Sequence, residues 1–420
     1  MKTFLSFSLF LFILIGSVSS QTTKHVLFLG NSYTAVNNLP TIVANIAHNM
    51  GDSLAHSENT PGGFTLQGHS TDATSLSYIN QGGWDYVVLQ EQSQKPSWPI
   101  SQVITDVFPY AKTLSNLIVQ ASPCAKPLFF MTWGRKNGDS YNCASWPPVC
   151  TYNGMDSLLN LRYRMMADSN DAYVSPVGAV WHYIRDTKPN INLYSADESH
   201  PSAEGSYAAA CTFYTLIFQK DPSLITFDFG LDPITALDIR NATKIIAYDS
   251  LAKWNVGKYL PNAQFSENHN MDTVYFKNNS TYAIDYTWRF GDGNSSKLFE
   301  PSHIYTSSGN YKVVLEANKC GNRDTISHNV QVTISTLNIP DYKVYKIYPN
   351  PIEEQITIAF NKSESLQNIA ILSIDGKLVK TYENDEGKQI QLDVSQLSTG
   401  IYILQFTIEG MSYQYKIVKH

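Results

Sequence analysis

Residues 26–34, VLFLGNSYT, decide how the first part of this 420-residue chain folds. Four apolar residues in a row are typical of a short strand that is buried on both faces of a parallel sheet. Gly30, Asn31 and Ser32 then form an ordinary turn sequence, which by itself indicates only that the strand ends. In open α/β sheets, however, reactive groups lie at the carboxyl ends of the strands. The stretch therefore predicts a buried first strand and makes Ser32 a candidate for chemistry.

Outward from this strand, residues 24–225 alternate between apolar strands and helical patterns. Further strands are predicted at WDYVVLQEQ, KPLFFMTWG and AYVSPVG, and helical patterns begin near Leu39, Ile100, Ser157 and Ala203. Strands separated by helices of this length predict a parallel sheet that helices cover on both faces.

The pattern changes near residue 261, where short alternating strands separated by clusters of turn residues begin. Such a pattern is typical of β-sandwiches of immunoglobulin size. We therefore expect four segments. These are a signal peptide at 1–20, an α/β domain at 21–260, and two all-β sandwich domains at 261–336 and 337–420.

The first twenty residues and the charge restrict the possible functions. A positive Met1-Lys2, an apolar run over 4–15 and small residues over 16–20 indicate a secretory signal peptide, so the protein is expected to be exported. No later segment is apolar enough to predict a transmembrane span. A net charge of −6 and the lack of a sustained basic patch argue against a nucleic-acid partner.

Export permits disulfides, and the chain has five cysteines. Cys143 and Cys150 bracket the loop NCASWPPVC, whose prolines favour a compact return, and they are the best candidate pair. A bond between Cys124 and Cys211 is possible, although the spacing gives it no support. One cysteine must stay unpaired. No Cys/His spacing indicates a zinc site, and no metal is expected.

A serine hydroxyl becomes a nucleophile only when a base removes its proton, and that base needs an orienting acid. The segment YSADESHPSAEG supplies both, because Asp197 and His200 lie three residues apart directly before a predicted helix. In such a loop the carboxylate can accept a hydrogen bond from one imidazole nitrogen while the other nitrogen faces a serine. The alternative is a helix-capping loop in which His200 is an ordinary surface residue.

The Gly-Asn-Ser turn after the first strand, together with D-x-x-H-P before the last helix, resembles the first and last sequence blocks of the SGNH hydrolases, the GDSL-type esterases. The resemblance covers residues 24–225 and implies a flavodoxin-like, three-layer α/β fold. It also implies Ser32 as nucleophile, His200 as base and Asp197 as the orienting acid, without a cofactor. Asn31 departs from the aspartate of many members, but this position is not one of the catalytic three.

The resemblance implies an oxyanion hole made of the Ser32 N–H, a glycine N–H from a second block and a side-chain amide from a third. The segment ENTPGGFTLQGH offers Gly63 for the second block. The third block departs from the family, because LQEQSQKP has glutamines where asparagine is usual. Gln90 is the first choice because it stands at the strand end, and Gln94 aligns better if no gap is allowed.

The two β-segments carry their own resemblances. W-x-F-G-D-G followed by H-x-Y-x-x-x-G-x-Y resembles PKD domains, which are found in many exported bacterial enzymes. KIYPNPIEEQITI and the closing IYILQFTIEGMSYQYKIVKH resemble the C-terminal sorting domain of type IX secretion substrates in Bacteroidetes. This resemblance implies that the type IX machinery is a partner and that the product is secreted or attached to the cell surface.

These features together imply a secreted serine esterase whose substrate is an acetyl ester on a polysaccharide or glycan, or a small acyl ester. A lipase or a thioesterase is the enzymatic alternative. The non-enzymatic alternative is an inactive SGNH-like domain in a surface carbohydrate-binding or adhesive protein. The imperfect third block favours this alternative.

Overall fold

A computed structural model describes residues 23–270, 273–333 and 345–420. The expected signal peptide at 1–20 and the start of the last expected domain, from 337 to 344, lie outside the described residues. The chain divides into two compact units, the first made of residues up to 266 with 276–301 and 312–328. The second unit comprises 267–275, 302–311 and 329–420.

Helices and strands alternate over residues 24–246, as the apolar pattern predicts. The strands are β1 (Lys24–Leu29), β2 (Leu54–Asn59), β3 (Tyr86–Leu89), β4 (Lys126–Phe130) and β5 (Tyr173–Ser175). The helices are α1 (Ser32–Ala35), α2 (Leu39–Asn49), α3 (Leu66–His69), α4 (Ala73–Gln81), α5 (Ile100–Asp106), α6 (Phe108–Ala121), α7 (Tyr152–Asp168), α8 (Val177–Thr187), α9 (Ala203–Phe218) and α10 (Pro233–Ile246).

The five strands form one parallel sheet in the order β2-β1-β3-β4-β5. This is the flavodoxin-like order, and it confirms the predicted α/β fold. The strand order reverses at β1, which pairs with β2 on one side and with β3 on the other. In such sheets the crevice beyond the carboxyl ends at the reversal is the usual place for a binding site. The turn that follows β1 therefore lies where chemistry is expected.

The centre of this sheet is buried because strand residues point alternately to its two faces. Val26 and Phe28 belong to one apolar core, which helices α2, α8, α9 and α10 cover. Leu27 and Leu29 belong to a second core, which α4, α6 and α7 cover. The result is the three-layer arrangement that the resemblance implies.

Three local features differ from the sequence prediction. β2 was not expected, because its sequence LAHSEN is polar; it lies at the edge of the sheet, where only one neighbour covers it. The segment AYVSPVG is a strand only as far as Ser175, and α8 begins just after Pro176. The predicted helix from Ile100 is broken at Val107 into α5 and α6.

The remaining strands pair in antiparallel sheets, as expected for the two β-segments. Their bounds are β6 (Phe265–Asn270), β7 (Thr273–Asn278), β8 (Asp285–Arg289), β9 (Ser295–Ser296), β10 (Ser302–Ile304), β11 (Gly309–Lys319), β12 (Asn322–Val332), β13 (Tyr345–Tyr348), β14 (Gln355–Ser373), β15 (Leu378–Thr381), β16 (Asp385–Asp393), β17 (Gly400–Ile408) and β18 (Met411–Lys419). The first two sheets have the orders β10-β7-β6 and β12-β11-β8-β9. The last sheet runs β13-β14-β17-β18, with β15 and β16 also paired to β14.

The structure contains two disulfides. One joins Cys143 to Cys150, the pair favoured by the sequence. The other joins Cys124 to Cys320, which lie 196 residues apart. Cys211 is buried and unpaired, so the possible Cys124–Cys211 bond is not formed. Within the described ranges, no helix has the length and apolarity needed to span a bilayer.

Candidate active site

Ser32 is the first residue of α1 and lies three residues beyond the end of β1. Asn31 caps this short helix, since its side chain accepts a hydrogen bond of 3.1 Å from the Tyr33 N–H. Position 30 has room only for glycine, because a Cβ atom there would lie only 2.5 Å from Thr34 Oγ1 and 2.7 Å from Gln90 Oε1. The serine is thus held at the carboxyl edge of the sheet by a tightly packed turn.

Asp197 and His200 lie in the loop between α8 and α9, which reaches the same edge of the sheet. Two backbone hydrogen bonds of 2.9 Å close this loop, from the Ser195 N–H to the His200 carbonyl and from the Ser202 N–H to the Leu193 carbonyl. Ser202 then caps α9. The loop is therefore defined on both sides of His200.

The structure brings the three predicted residues together. His200 Nε2 lies 2.8 Å from Ser32 Oγ, and His200 Nδ1 is hydrogen-bonded to Asp197 Oδ2. The other carboxylate oxygen of Asp197 accepts the backbone N–H groups of His200 at 2.9 Å and Ser199 at 3.1 Å. An acid, an imidazole and a hydroxyl in this sequence of hydrogen bonds can transfer a proton from the hydroxyl to the ring.

The hydrogen bonds to Asp197 favour its ionised form. Partial burial acts to raise the pKa of this carboxyl, but the His200 ring and the two backbone N–H groups outweigh it and the pKa is lowered. The carboxylate therefore stays ionised beside the imidazole. It holds the proton of the ring on Nδ1 and leaves Nε2 free to accept one from Ser32.

Two stacked aromatic rings, those of Tyr33 and Trp133, pack next to His200. The Tyr33 ring stacks on Trp133 at a centroid distance of 4.8 Å and meets the His200 ring edge-on at 5.3 Å. Ser199 links the stack to the loop, since the Tyr33 hydroxyl lies 2.6 Å from Ser199 Oγ and Trp133 Nε1 donates to the Ser199 carbonyl at 3.1 Å. Trp133 is completely buried, so it is part of the core.

Gly63 lies in the loop that precedes α3, directly before Phe64. Asn31 Nδ2 donates a hydrogen bond of 2.9 Å to the Phe64 carbonyl, which fixes this loop beside the serine turn. Gly63 has a φ of +70°, a conformation that favours glycine. Among the described residues, its N–H has no backbone or side-chain acceptor, and the same is true of the Ser32 N–H.

Gln90 is completely buried, and both hydrogens of its amide are used. Its Nε2 donates to Asn31 Oδ1 at 2.7 Å and to the Glu91 carbonyl at 2.9 Å. Its Oε1 accepts from the Asn31 N–H at 3.0 Å and from the Thr34 hydroxyl at 2.8 Å. Gln90 therefore connects the end of β3 to the serine turn and has no free N–H to offer a substrate. This corrects its place as first choice for the third oxyanion donor.

Gln94 is partly exposed and has one amide hydrogen in use. Its Nε2 donates to Asp139 Oδ2 at 2.8 Å, and its Oε1 accepts from Gln92 Nε2 at 3.2 Å. Among the described residues, the second hydrogen of this amide has no acceptor. Of the two glutamines considered from the sequence, Gln94 is therefore the one whose amide still has a hydrogen without a partner.

The loop that contains the Cys143–Cys150 bond contacts the loop of His200. The Lys136 N–H donates to the Glu198 carbonyl at 3.0 Å, and Asn137 Nδ2 donates to Glu198 Oε2 at 2.8 Å. The segment before the disulfide therefore helps to hold the loop of His200. No spacing argument in the sequence indicated these contacts.

Two family models match the C-terminal part of the chain. Residues 261–334 match the PKD domain, and residues 346–420 match the secretion system C-terminal sorting domain. Both identifications made from the sequence are confirmed. A sorting domain of this kind is read by the secretion system, so the protein is exported and is secreted or attached to the cell surface.

Several solved structures are similar to the N-terminal half. A DUF4886 family protein from Bacteroides uniformis has 16% identity and a TM-score of 0.47, covering 56% of this chain and 97% of that chain. A candidate SGNH hydrolase from Slackia heliotrinireducens has 24% identity and a TM-score of 0.38, covering 46% and 98%. A candidate GDSL-like lipase from Parabacteroides merdae has 11% identity and a TM-score of 0.33, covering 48% and 98%. No curated protein matches the chain.

Proposed function

We propose that the protein is a secreted serine esterase of the SGNH type. The observation that carries the proposal is the chain of hydrogen bonds from Asp197 through His200 to Ser32, with 2.8 Å between His200 Nε2 and Ser32 Oγ. A hydroxyl at this distance from an unprotonated imidazole nitrogen is arranged for deprotonation. The orienting carboxylate stabilises the imidazolium that forms.

The reaction proceeds in two halves. As Ser32 Oγ attacks the ester carbonyl carbon, its proton passes to His200 Nε2, and the tetrahedral intermediate forms. Collapse of the intermediate breaks the bond to the alcohol oxygen, which takes the proton from His200, and leaves an acyl-enzyme on Ser32. Water then attacks the acyl carbon while His200 accepts its proton. The acid departs, and the proton returns to Ser32.

The oxyanion needs donors that point at the carbonyl oxygen as charge develops there. We assign this role to the backbone N–H groups of Ser32 and Gly63 and to the free amide hydrogen of Gln94. Two observations support the assignment. The two backbone N–H groups have no acceptor among the described residues, and Gln94 keeps one hydrogen unused.

Replacing Gln94 by alanine is expected to lower kcat for 4-nitrophenyl acetate by about 100-fold, which is typical for the loss of one oxyanion donor. The melting temperature should change little, because Asp139 keeps the Asn142 amide, which donates at 2.6 Å. Gln90→Ala is the matched comparison. It should lower the melting temperature clearly, because the buried Asn31 N–H and the buried Thr34 hydroxyl lose the oxygen that accepts their hydrogen bonds. Full activity in the Gln94 variant would remove Gln94 from the proposed oxyanion hole.

We propose an acetyl ester on a polysaccharide or glycan as the substrate. The site is open, since the side chains of His200 and Asp197 are 34% and 48% exposed, which suits an acetyl group on a large alcohol. Export and the PKD domain are consistent with a polymer outside the cell. The test is acetate release from acetylated xylan, pectin and mucin glycans, compared with 4-nitrophenyl esters of increasing chain length. We expect acetate release and falling kcat/KM from acetyl to octanoyl, whereas a preference for octanoyl would favour a lipase.

A further inference from the structure

Glu91 is a completely buried carboxyl beside the site that the proposed reaction does not use. Its Oε1 accepts the Gln92 N–H at 2.6 Å, and its Oε2 accepts the Leu66 N–H at 3.2 Å. Within the described residues it forms no ion pair. A buried carboxyl without a cationic partner costs stability, so its presence needs an explanation.

The two hydrogen bonds hold the two segments that supply the proposed oxyanion donors. Leu66 is the first residue of α3 and directly follows the loop of Gly63. The same loop is also held by the hydrogen bond from Asn31 Nδ2 to the Phe64 carbonyl. Gln92 begins the turn of Gln94, because its Oε1 accepts the Gln94 N–H at 2.8 Å. The carboxyl of Glu91 therefore lies between the second and third blocks and contacts the backbone of both.

We propose that Glu91 is a positioning residue of the active site, which sets the oxyanion donors of the Gly63 loop and the Gln94 turn relative to Ser32. The proposal rests on the proposed esterase function. Only the ionised carboxylate offers both oxygens as acceptors. When it is protonated, one oxygen carries a hydrogen that faces a backbone N–H, and one of the two contacts weakens.

The surroundings of Glu91 make this contact sensitive to pH. Burial raises the pKa of Glu91 to about 7, against the opposing effects of the Gln92 N–H, the Lys95 charge and the Leu66 N–H. A further titratable neighbour is Tyr163 of α7, whose hydroxyl accepts the Glu91 N–H at 3.3 Å. The helix α3, whose Leu66 N–H contacts the carboxyl, also carries His69. Both ring nitrogens of His69 are already hydrogen-bonded, and burial lowers its pKa, so it does not supply a charge near pH 7.

Ionisation of Glu91 with rising pH is expected to lower the stability of the protein and to raise its activity. Because the pKa is raised on folding, the stability contribution of Glu91 is present at acidic pH and is lost as the pH rises to about 7. The ionised form that positions the donors is therefore the less stable form. A residue with a purely structural role would lose activity and stability together.

The test is Glu91→Gln, which keeps the size of the side chain and removes its ionisation. At pH 8 we expect kcat for 4-nitrophenyl acetate to fall 10- to 100-fold with KM within threefold, and the melting temperature to equal or exceed that of the wild type. Between pH 5 and 8 the pH profile of the wild-type activity should contain two protonation steps. The profile of Glu91→Gln should contain one, because the step due to Glu91 is absent. Glu204→Gln, the same change on α9, is the control and should match the wild type.

Glu91→Asp keeps the charge but shortens the side chain, so it should lose kcat about tenfold and keep both protonation steps. If the wild type is active and Glu91→Gln has the same kcat and the same two protonation steps, this proposal alone would be overturned. A wild type without turnover at any pH would overturn the esterase function and this proposal with it.

Discussion

Ser32→Ala is expected to lower kcat for 4-nitrophenyl acetate by about 10⁵-fold or more, because the acyl-enzyme cannot form without the hydroxyl. The residual rate should reflect only binding and the oxyanion donors. Within the part of the chain that the structure describes, the side chain of Ser32 is hydrogen-bonded only to His200, so the melting temperature should stay within a few degrees of the wild type. The measurement is the initial rate of 4-nitrophenolate release by the purified protein, together with a thermal melt.

Ser101→Ala is the matched control, since Ser101 is exposed on α5 and has no place in the proposed mechanism. It should have the wild-type rate. Equal turnover by wild type and Ser32→Ala would contradict the esterase account and favour a surface-binding protein without catalytic activity.

Asp197→Asn is expected to have the next largest effect, a loss of kcat of about 10³- to 10⁴-fold. The asparagine amide would donate to His200 Nδ1 and hold the ring proton on Nε2, where the ring can no longer accept the proton of Ser32. The loop itself should remain, because the asparagine oxygen can still accept the backbone N–H groups of Ser199 and His200. The measurement is again the initial rate with 4-nitrophenyl acetate.

Asp186→Asn is the matched control, because Asp186 pairs with His182 at 3.3 Å but lies outside the proposed mechanism. Its kcat should not change. If Asp197→Asn kept the wild-type rate, the carboxylate would have no part in orienting the base.

The lowered pKa of Asp197 also gives a pH dependence of stability. Its contribution is present above the ordinary carboxyl pKa and is lost as the pH falls through the lower value of the folded state. The Asp197 carboxylate therefore stays ionised throughout the neutral range, where it accepts the backbone N–H groups of Ser199 and His200.

That Ser32, Asp197 and His200 come together could be predicted because their signals are local. A buried strand that ends at Gly30, and a D-x-x-H-P segment that begins a helix, each define their own geometry within a few residues. The topology of a parallel sheet then brings both to one edge. The polar strand β2 was missed because an edge strand does not need an apolar sequence.

The role of the glutamines could not be predicted from spacing. Parallel pairing continues one residue beyond β3, since the Gln90 N–H donates to the Leu29 carbonyl at 2.9 Å. The side chain of Gln90 is consequently turned into the sheet edge toward Asn31, whereas Gln94 lies beyond the strand. The roles of Glu91 and the Cys124–Cys320 bond depend on contacts between distant segments, which have no signature in a single sequence.

Reaction with a fluorophosphonate, followed by mapping of the labelled peptide by mass spectrometry, tests the central claim most directly. Such a probe reacts with a serine only when a base activates it and oxyanion donors stabilise the adduct. We predict a single adduct on Ser32, which is absent from His200→Ala. No adduct on Ser32, or an equal yield in the His200 variant, would contradict the claim that His200 activates this serine.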